Sequence, residues 1–213
     1  MDLLGDHRPP HGARRCPVAA RQRRPHSFVT TAAVILAAGG SSRFGGDVNK
    51  LVAHFRGRPL VSWAIDHAAE AGLDDLIVVM GAVDVAALAS SPARVVPNDA
   101  WSQGQATSLQ VAIGWAADNG HDAIVVGLGD QPLVEPSAWR VVAASTASIA
   151  VATYGGRRGH PVRLAREVWP LLPASGDEGA RVLMRERPEL VVEVACEGET
   201  VDIDTLEDLS EWS

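Results

Sequence analysis

Two cysteines in 213 residues, Cys16 and Cys196, are too few for a disulfide framework and too isolated for a zinc site. A reducing cytoplasm is the expected home, with Cys196, inside an apolar run, a small buried hydrophobe. No apolar stretch reaches the roughly 18 residues that a bilayer span needs, so a soluble protein without a membrane partner is expected. The leader MDLLGDHRPPHGARRCPVAARQRRPHSFVT has no apolar h-region, which excludes a secretory signal. Residues 1–30 are expected to form a disordered basic tail, with a nucleic-acid-binding or organelle-targeting arm as the alternative. Basic residues are scarce beyond it. Six arginines in 1–30 give that segment a charge of +4, and the remaining body carries −11. An acidic body excludes a broad nucleic-acid surface, so any phosphate must be met locally. Internal repeats at solenoid spacing are also lacking.

What is present is the composition of an ordinary globular domain, 46% hydrophobic and 21% charged. Apolar runs rich in valine and isoleucine recur at 32–38, 76–80, 93–96, 123–128, 148–154 and 190–195. They read as strands buried on both faces. Helical periodicity marks 60–72, 83–89, 106–120 and 136–145. The alternation predicts a single α/β domain over 31–213 with one doubly wound, mostly parallel sheet. Its ligand crevice should lie at the carboxyl ends of the strands.

The segment LAAGGSSRFGGDVNK, Leu36 to Lys50, follows the first strand directly and so falls at that crevice. Two familiar phosphate loops are excluded. Gly40 and Gly45 have Walker A spacing, but Gly46 stands where the lysine is required, and G-x-G-x-x-G has no match. A flexible surface turn is one reading. The other is a phosphate loop, since Arg43 inside the glycines and Lys50 just past them supply charge for phosphate oxygens.

The same segment resembles the L-A-A-G-x-x-x-R-M-x(n)-P-K signature of MobA-like NTP transferases. Further segments, VVPNDAWSQGQATSLQVAI (95–113), GLGDQPLV (127–134), YGGRRGHPVRL (154–164), GDEGARVLM (176–184) and DIDTLEDL (202–209), look in this order like molybdenum cofactor cytidylyltransferases. The chain departs at Phe44, where the family has methionine, at Asn49, where it has proline, and in a longer interval from Arg43 to Lys50.

The resemblance implies a Rossmann-like nucleotidyltransferase fold and a Mg²⁺-dependent enzyme that transfers CMP from CTP to a molybdopterin phosphate, releasing pyrophosphate. Leu36, Ala37, Ala38, Gly39, Gly40, Ser41 and Ser42 would cradle the triphosphate, with Arg43, Lys50 and Asp130 as the catalytic set. Asn98, Gly104 and Ser108 would form the base pocket, and Trp101 would be a stacking platform, a lid or a packing residue. Asp130 with Asp204 would hold the metal, Asp202 being the alternate for the second position. His160, Asp177 and Arg181 would face the acceptor. For His160 the reading favours positioning over general-base work, since a phosphate nucleophile is already ionised. Implied partners are CTP or another NTP, the molybdopterin-type acceptor and, transiently, a molybdoenzyme or its chaperone.

Structural alternatives accompany these roles. GDQP is also an Asx turn, DIDTLEDL also a helix cap at Asp204 or Thr205, and Asp177 with Arg181 also a surface ion pair. Competing functions are a sister transferase using GTP or a sugar phosphate, and a non-catalytic protein that binds or delivers the cofactor.

Overall fold

A computed structural model describes residues 29–41, 44–45, 48–89 and 93–213. Most of the expected tail therefore lies outside the described residues. Thr30, assigned to that tail, belongs with the body, because its backbone N–H donates to Asp122 Oδ2 and its carbonyl accepts from Asp122.

One seven-stranded sheet organises the chain. Its strands are β1 (Thr31–Ala37), β4 (Asp75–Met80), β5 (Arg94–Pro97), β6 (Ala123–Leu128), β7 (Ile149–Tyr154), β8 (Arg157–Ala165) and β9 (Val191–Ala195), and β2 (His54–Phe55) pairs β3 (Arg58–Pro59) in a small separate hairpin. The sheet order is β5-β4-β1-β6-β8-β7-β9, with β8 antiparallel to both its neighbours and the other pairings parallel. All six expected strands are present. β8 was not expected; its RRGHPVRLA mixes arginine, glycine and proline with few apolar residues, and only pairing on both sides makes it a strand.

Position in the sheet decides burial. β1, an interior strand, is buried at every residue, whereas β5 and β9, expected to be buried, lie at the edges and are largely exposed. Four helices cover the sheet. α1 (Leu60–Glu70), α2 (Gln105–Asp118) and α3 (Pro136–Ala143) match the periodic segments, and α4 (Arg181–Glu186) follows the GDEGAR motif. Gly72, at φ +71°, ends the turn after α1, and Pro136 opens α3 at its first position, each for the usual conformational reason. The helix expected at 83–89 is a single 3-10 turn, Ala86–Leu88.

Two cores result. On one face α1 and α3 pack Ile65 and Trp139 against β1 and β6; on the other α2 packs Leu109 and Ala112 against the same strands. A side chain at Gly127 of β6 would meet the Trp139 indole at 2.5 Å, so that glycine permits close helix-to-strand approach. A third, smaller cluster joins Phe44, Phe55, Leu60 and Ile203, and the last helix, α5 (Leu206–Trp212), leans on it through Leu209 and Trp212. Cys196 is half-buried against the first core rather than fully inside it, and burial pushes its thiol up. No helix of the described residues is long and apolar enough to cross a membrane.

Candidate active site

From β1 the chain runs outward through β4 to β5, then returns to place β6 on β1's other side. The carboxyl ends of β1 and β6 are thus the topological switch point, where open α/β sheets bind ligands. Register makes the juxtaposition specific. Leu36 lies opposite Leu128, and Gly129 donates to the Leu36 carbonyl at 3.0 Å, which sets the glycine loop beside the turn that carries Asp130.

Within the loop, Leu36 to Ser41 line a cavity of about 700 Å³ together with Lys50, Ser108, Asp130 and Asp204. The departures from the family signature have local explanations. Asn49 donates from its side-chain amide to the Gly39 carbonyl (3.1 Å) and accepts from Leu51 N–H (3.0 Å), so it both clips the loop and caps the 3-10 turn at Lys50. Ser41 Oγ accepts from Lys50 N–H at 3.1 Å. Phe44 is buried in the third core and anchors the loop there. Ser42 and Arg43, expected to hold phosphate, lie outside the described residues.

Lys50, the only lysine of the chain, extends its amine between two carboxylates. Nζ is 2.6 Å from Asp130 Oδ2 and 2.6 Å from Asp204 Oδ1. Burial disfavours the ammonium, but the charges of Asp130 and then Asp204 outweigh it and hold the amine above its ordinary value. Asp130 is pushed up by its own burial, with the charge of Asp202 adding to it, against the pull of Lys50. Asp130 Oδ1 is buried without a hydrogen-bond partner. An open carboxylate oxygen with a second carboxylate beside it suits a hard divalent cation that completes its shell with water and phosphate oxygens. A cage of three or more acidic, histidine or cysteine ligands is absent among the described residues.

Asp204 reaches this point because the segment before α5 is fixed twice. Ile203 N–H donates to the Asp130 carbonyl at 3.0 Å, and a capping box closes below, with Asp208 N–H donating to Thr205 Oγ1 and Asp208 Oδ2 accepting from Thr205 N–H. Cap and carboxylate therefore coexist, Thr205 closing the helix while Asp204 faces Lys50. Asp202 points elsewhere, accepting from Gln131 Nε2 at 2.7 Å.

The base-pocket residues separate into two layers. Ser108 lines the cavity, whereas Asn98 stands behind it, buried, donating to Ser108 Oγ and Thr107 Oγ1 at 2.9 Å each. Gly104, at φ +108°, has no room for a Cβ, which would lie 2.4 Å from the Gly176 backbone. Two hydrogen bonds, Ala106 N–H to Gly176 O and Gly176 N–H to Gln103 O, tie these loops together. Trp101 is a wall of the cavity, its ring against Gly40 and its Cβ against Gly81, where side chains would collide at 2.9 and 2.6 Å.

A second cavity of about 890 Å³ shares Leu36 and Gln105 with the first. Its floor is apolar, with Leu109, Val126, Val151 and Leu164, and its rim carries Arg157, Arg158, Arg181 and Arg185. His160 and Arg181 meet here, but Asp177, grouped with them by sequence, lines the first cavity instead. Burial, and then the Arg181 charge, lower His160 to about 4 despite the opposing charge of Asp202. The imidazole is therefore neutral at pH 7. Gln131, Tyr154 and Gln105 also line this space; each lies in a segment that carries the family resemblance, but only the folded arrangement shows which side chains of those segments face a cavity.

The MobA-like NTP transferase domain family matches this chain over residues 33–191. Nicotine blue oxidoreductase of Paenarthrobacter nicotinovorans is 34% identical over 192 residues, covering 83% of this chain and 93% of that protein. Among solved structures, Rv0371c of Mycobacterium tuberculosis H37Rv superposes with a TM-score of 0.74 at 31% identity, covering 86% of this chain and 98% of its own. The same protein has also been crystallised in complex with manganese. A nucleotidyl transferase from Methanothermobacter thermautotroptrophicus gives a TM-score of 0.73 at 25% identity, over 85% of this chain and 95% of that one.

Proposed function

The chain belongs to the MobA-like NTP transferase family, and from that membership we propose that it is a divalent-metal-dependent cytidylyltransferase acting on a molybdopterin-type phosphate. The observation that carries the reading is the meeting of Lys50, Asp130 and Asp204 beside the glycine loop at the switch point. Nucleotidyl transfer joins an acceptor oxygen to the α-phosphorus of the triphosphate and breaks the bond to the pyrophosphate oxygen. Its obstacle is accumulated negative charge.

Backbone N–H groups of Ala38 to Ser42 hold the triphosphate, and Lys50 and Arg43 neutralise its oxygens. Asp130 and Asp204 hold Mg²⁺, which when bound supplies positive charge to the α-phosphate and the leaving group. Rv0371c's complex with manganese supports a divalent ion in this family. Ala37 and Ala38, as in the cytidylyl relatives, favour cytosine, with Ser108 at the base. The second cavity takes the acceptor: its volume and apolar floor suit a flat heterocycle better than a small sugar phosphate, and its arginine rim suits phosphate. His160, neutral, positions the acceptor. Transient contact with the receiving molybdoenzyme or its chaperone in the cytoplasm completes the reading.

Pyrophosphate release with Mg²⁺, each of four triphosphates and the molybdopterin acceptor tests it. CTP should be preferred, and a preference for GTP would overturn the cytidylyl assignment. Asp130→Ala should reduce turnover by about 10³-fold or more while its circular dichroism stays native. Near-normal turnover would remove the metal role.

One observation favours a second reading: a named relative, 34% identical over 83% of this chain, is an oxidoreductase. In that case the second cavity would take a redox-active organic substrate, and its reduction with an added electron donor, without pyrophosphate release, would establish that reading.

A further inference from the structure

We propose that in the free protein Lys50 fills the position of the divalent cation, so that the site takes up a metal–triphosphate complex far better than the bare metal. The inference rests on the transferase reading for the nature of the triphosphate, while the competition between amine and metal rests on the geometry itself. Nζ sits at 2.6 Å from one oxygen of each carboxylate, so the amine stands between the two groups that would hold the ion.

Space and charge set the amine and the ion in competition. With Nζ in hydrogen-bond contact with one oxygen of each carboxylate, an ion held between the same two groups would lie against the ammonium and be repelled by it. Metal entry therefore requires the amine to leave, and the displaced amine needs another anion. The first cavity offers a place for one. Lys50's backbone is tied to the glycine loop through Ser41 Oγ, and its neighbour Asn49 is tied to the Gly39 carbonyl. The side chain can thus pivot from the carboxylates toward phosphate oxygens above that loop without moving its own backbone. A triphosphate withdraws the amine and admits the metal, and by reciprocity the metal tightens the triphosphate.

Manganese chloride alone, titrated into the full chain and followed by electron paramagnetic resonance of free Mn²⁺, tests the competition. Lys50→Met should bind Mn²⁺ about tenfold or more tighter than wild type; equal or weaker binding in a folded variant overturns the proposal. Because that variant leaves two carboxylates facing each other and can lose its fold, the wild type supplies a second measurement. ¹⁵N-lysine labelling gives one Nζ resonance, since the chain has one lysine. Magnesium chloride alone should leave it unmoved at concentrations where magnesium with an α,β-non-hydrolysable CTP analogue shifts it. A full shift with magnesium alone overturns the displacement. A shift with magnesium and inorganic triphosphate, but with no nucleoside triphosphate, supports the displacement and removes the transferase reading.

Discussion

At residue scale the chain answers its own irregularities. Asn49 and Phe44 break the family signature, yet each holds the glycine loop, the first by a hydrogen bond to Gly39 and the second by burial. His160 allows a direct test of environment. Its folded value near 4 lies below the ordinary 6.5, depressed by burial and then by Arg181. Between those values the unfolded chain binds a proton that the native protein does not, so stability rises with pH across the window and is lost as pH falls from about 6.5 toward 4. The whole shift corresponds to about 3 kcal/mol, and because His160 lies on a cavity wall and is partly exposed the effect is smaller than that. Urea midpoints between pH 7 and 4.5 should fall more steeply for wild type than for His160→Gln. Equal slopes would show that His160 does not supply the dependence.

At the scale of elements, the C-terminal segment shows how a cap serves a site. α5 has no fully buried residue, so its position depends on the Thr205–Asp208 box, the Ile203 anchor and the partial packing of Leu209 and Trp212. Thr205→Ala should cost about 1 kcal/mol of stability, read from thermal or denaturant midpoints. If the cap also orients Asp204, metal-dependent stabilisation of the variant should shrink as well; an unchanged metal response would confine the cap to the helix. DIDTLEDL announces this cap in its spacing. β8 announces nothing, because its apolar content is too low for a strand outside a sheet. The same holds for 83–89, whose small apolar residues suggest a helix although the chain makes one 3-10 turn on its way to an edge strand.

At the scale of the molecule, one sheet is shared by two cores, so packing on either face holds both cavities in place. Trp139 is the largest fully buried side chain and lies over Gly127 in β6, the strand that leads to Asp130. Trp139→Ala should lower global stability by about 3–5 kcal/mol, visible as one displaced unfolding transition. Separate transitions for the two faces would argue that the cores are not coupled.

The alternation of apolar runs and helical stripes determined the mostly parallel α/β layout, because burial on both faces leaves a signature in each strand. LAAGGSSRFGGDVNK, GDQP and DIDT also marked their segments, since loops at strand ends need special residue types. What local sequence could not determine is what meets what. Asp204 rather than Asp202 meets the Lys50 amine, Asn98 stands behind Ser108, and Asp177 lines a different cavity from His160 and Arg181. Each outcome depends on register and on backbone hydrogen bonds between segments far apart in the chain. The amine of the only lysine rests between two carboxylates for the same reason: those three groups become neighbours only when β1 and β6 align and Ile203 ties the C-terminal segment to the Asp130 turn.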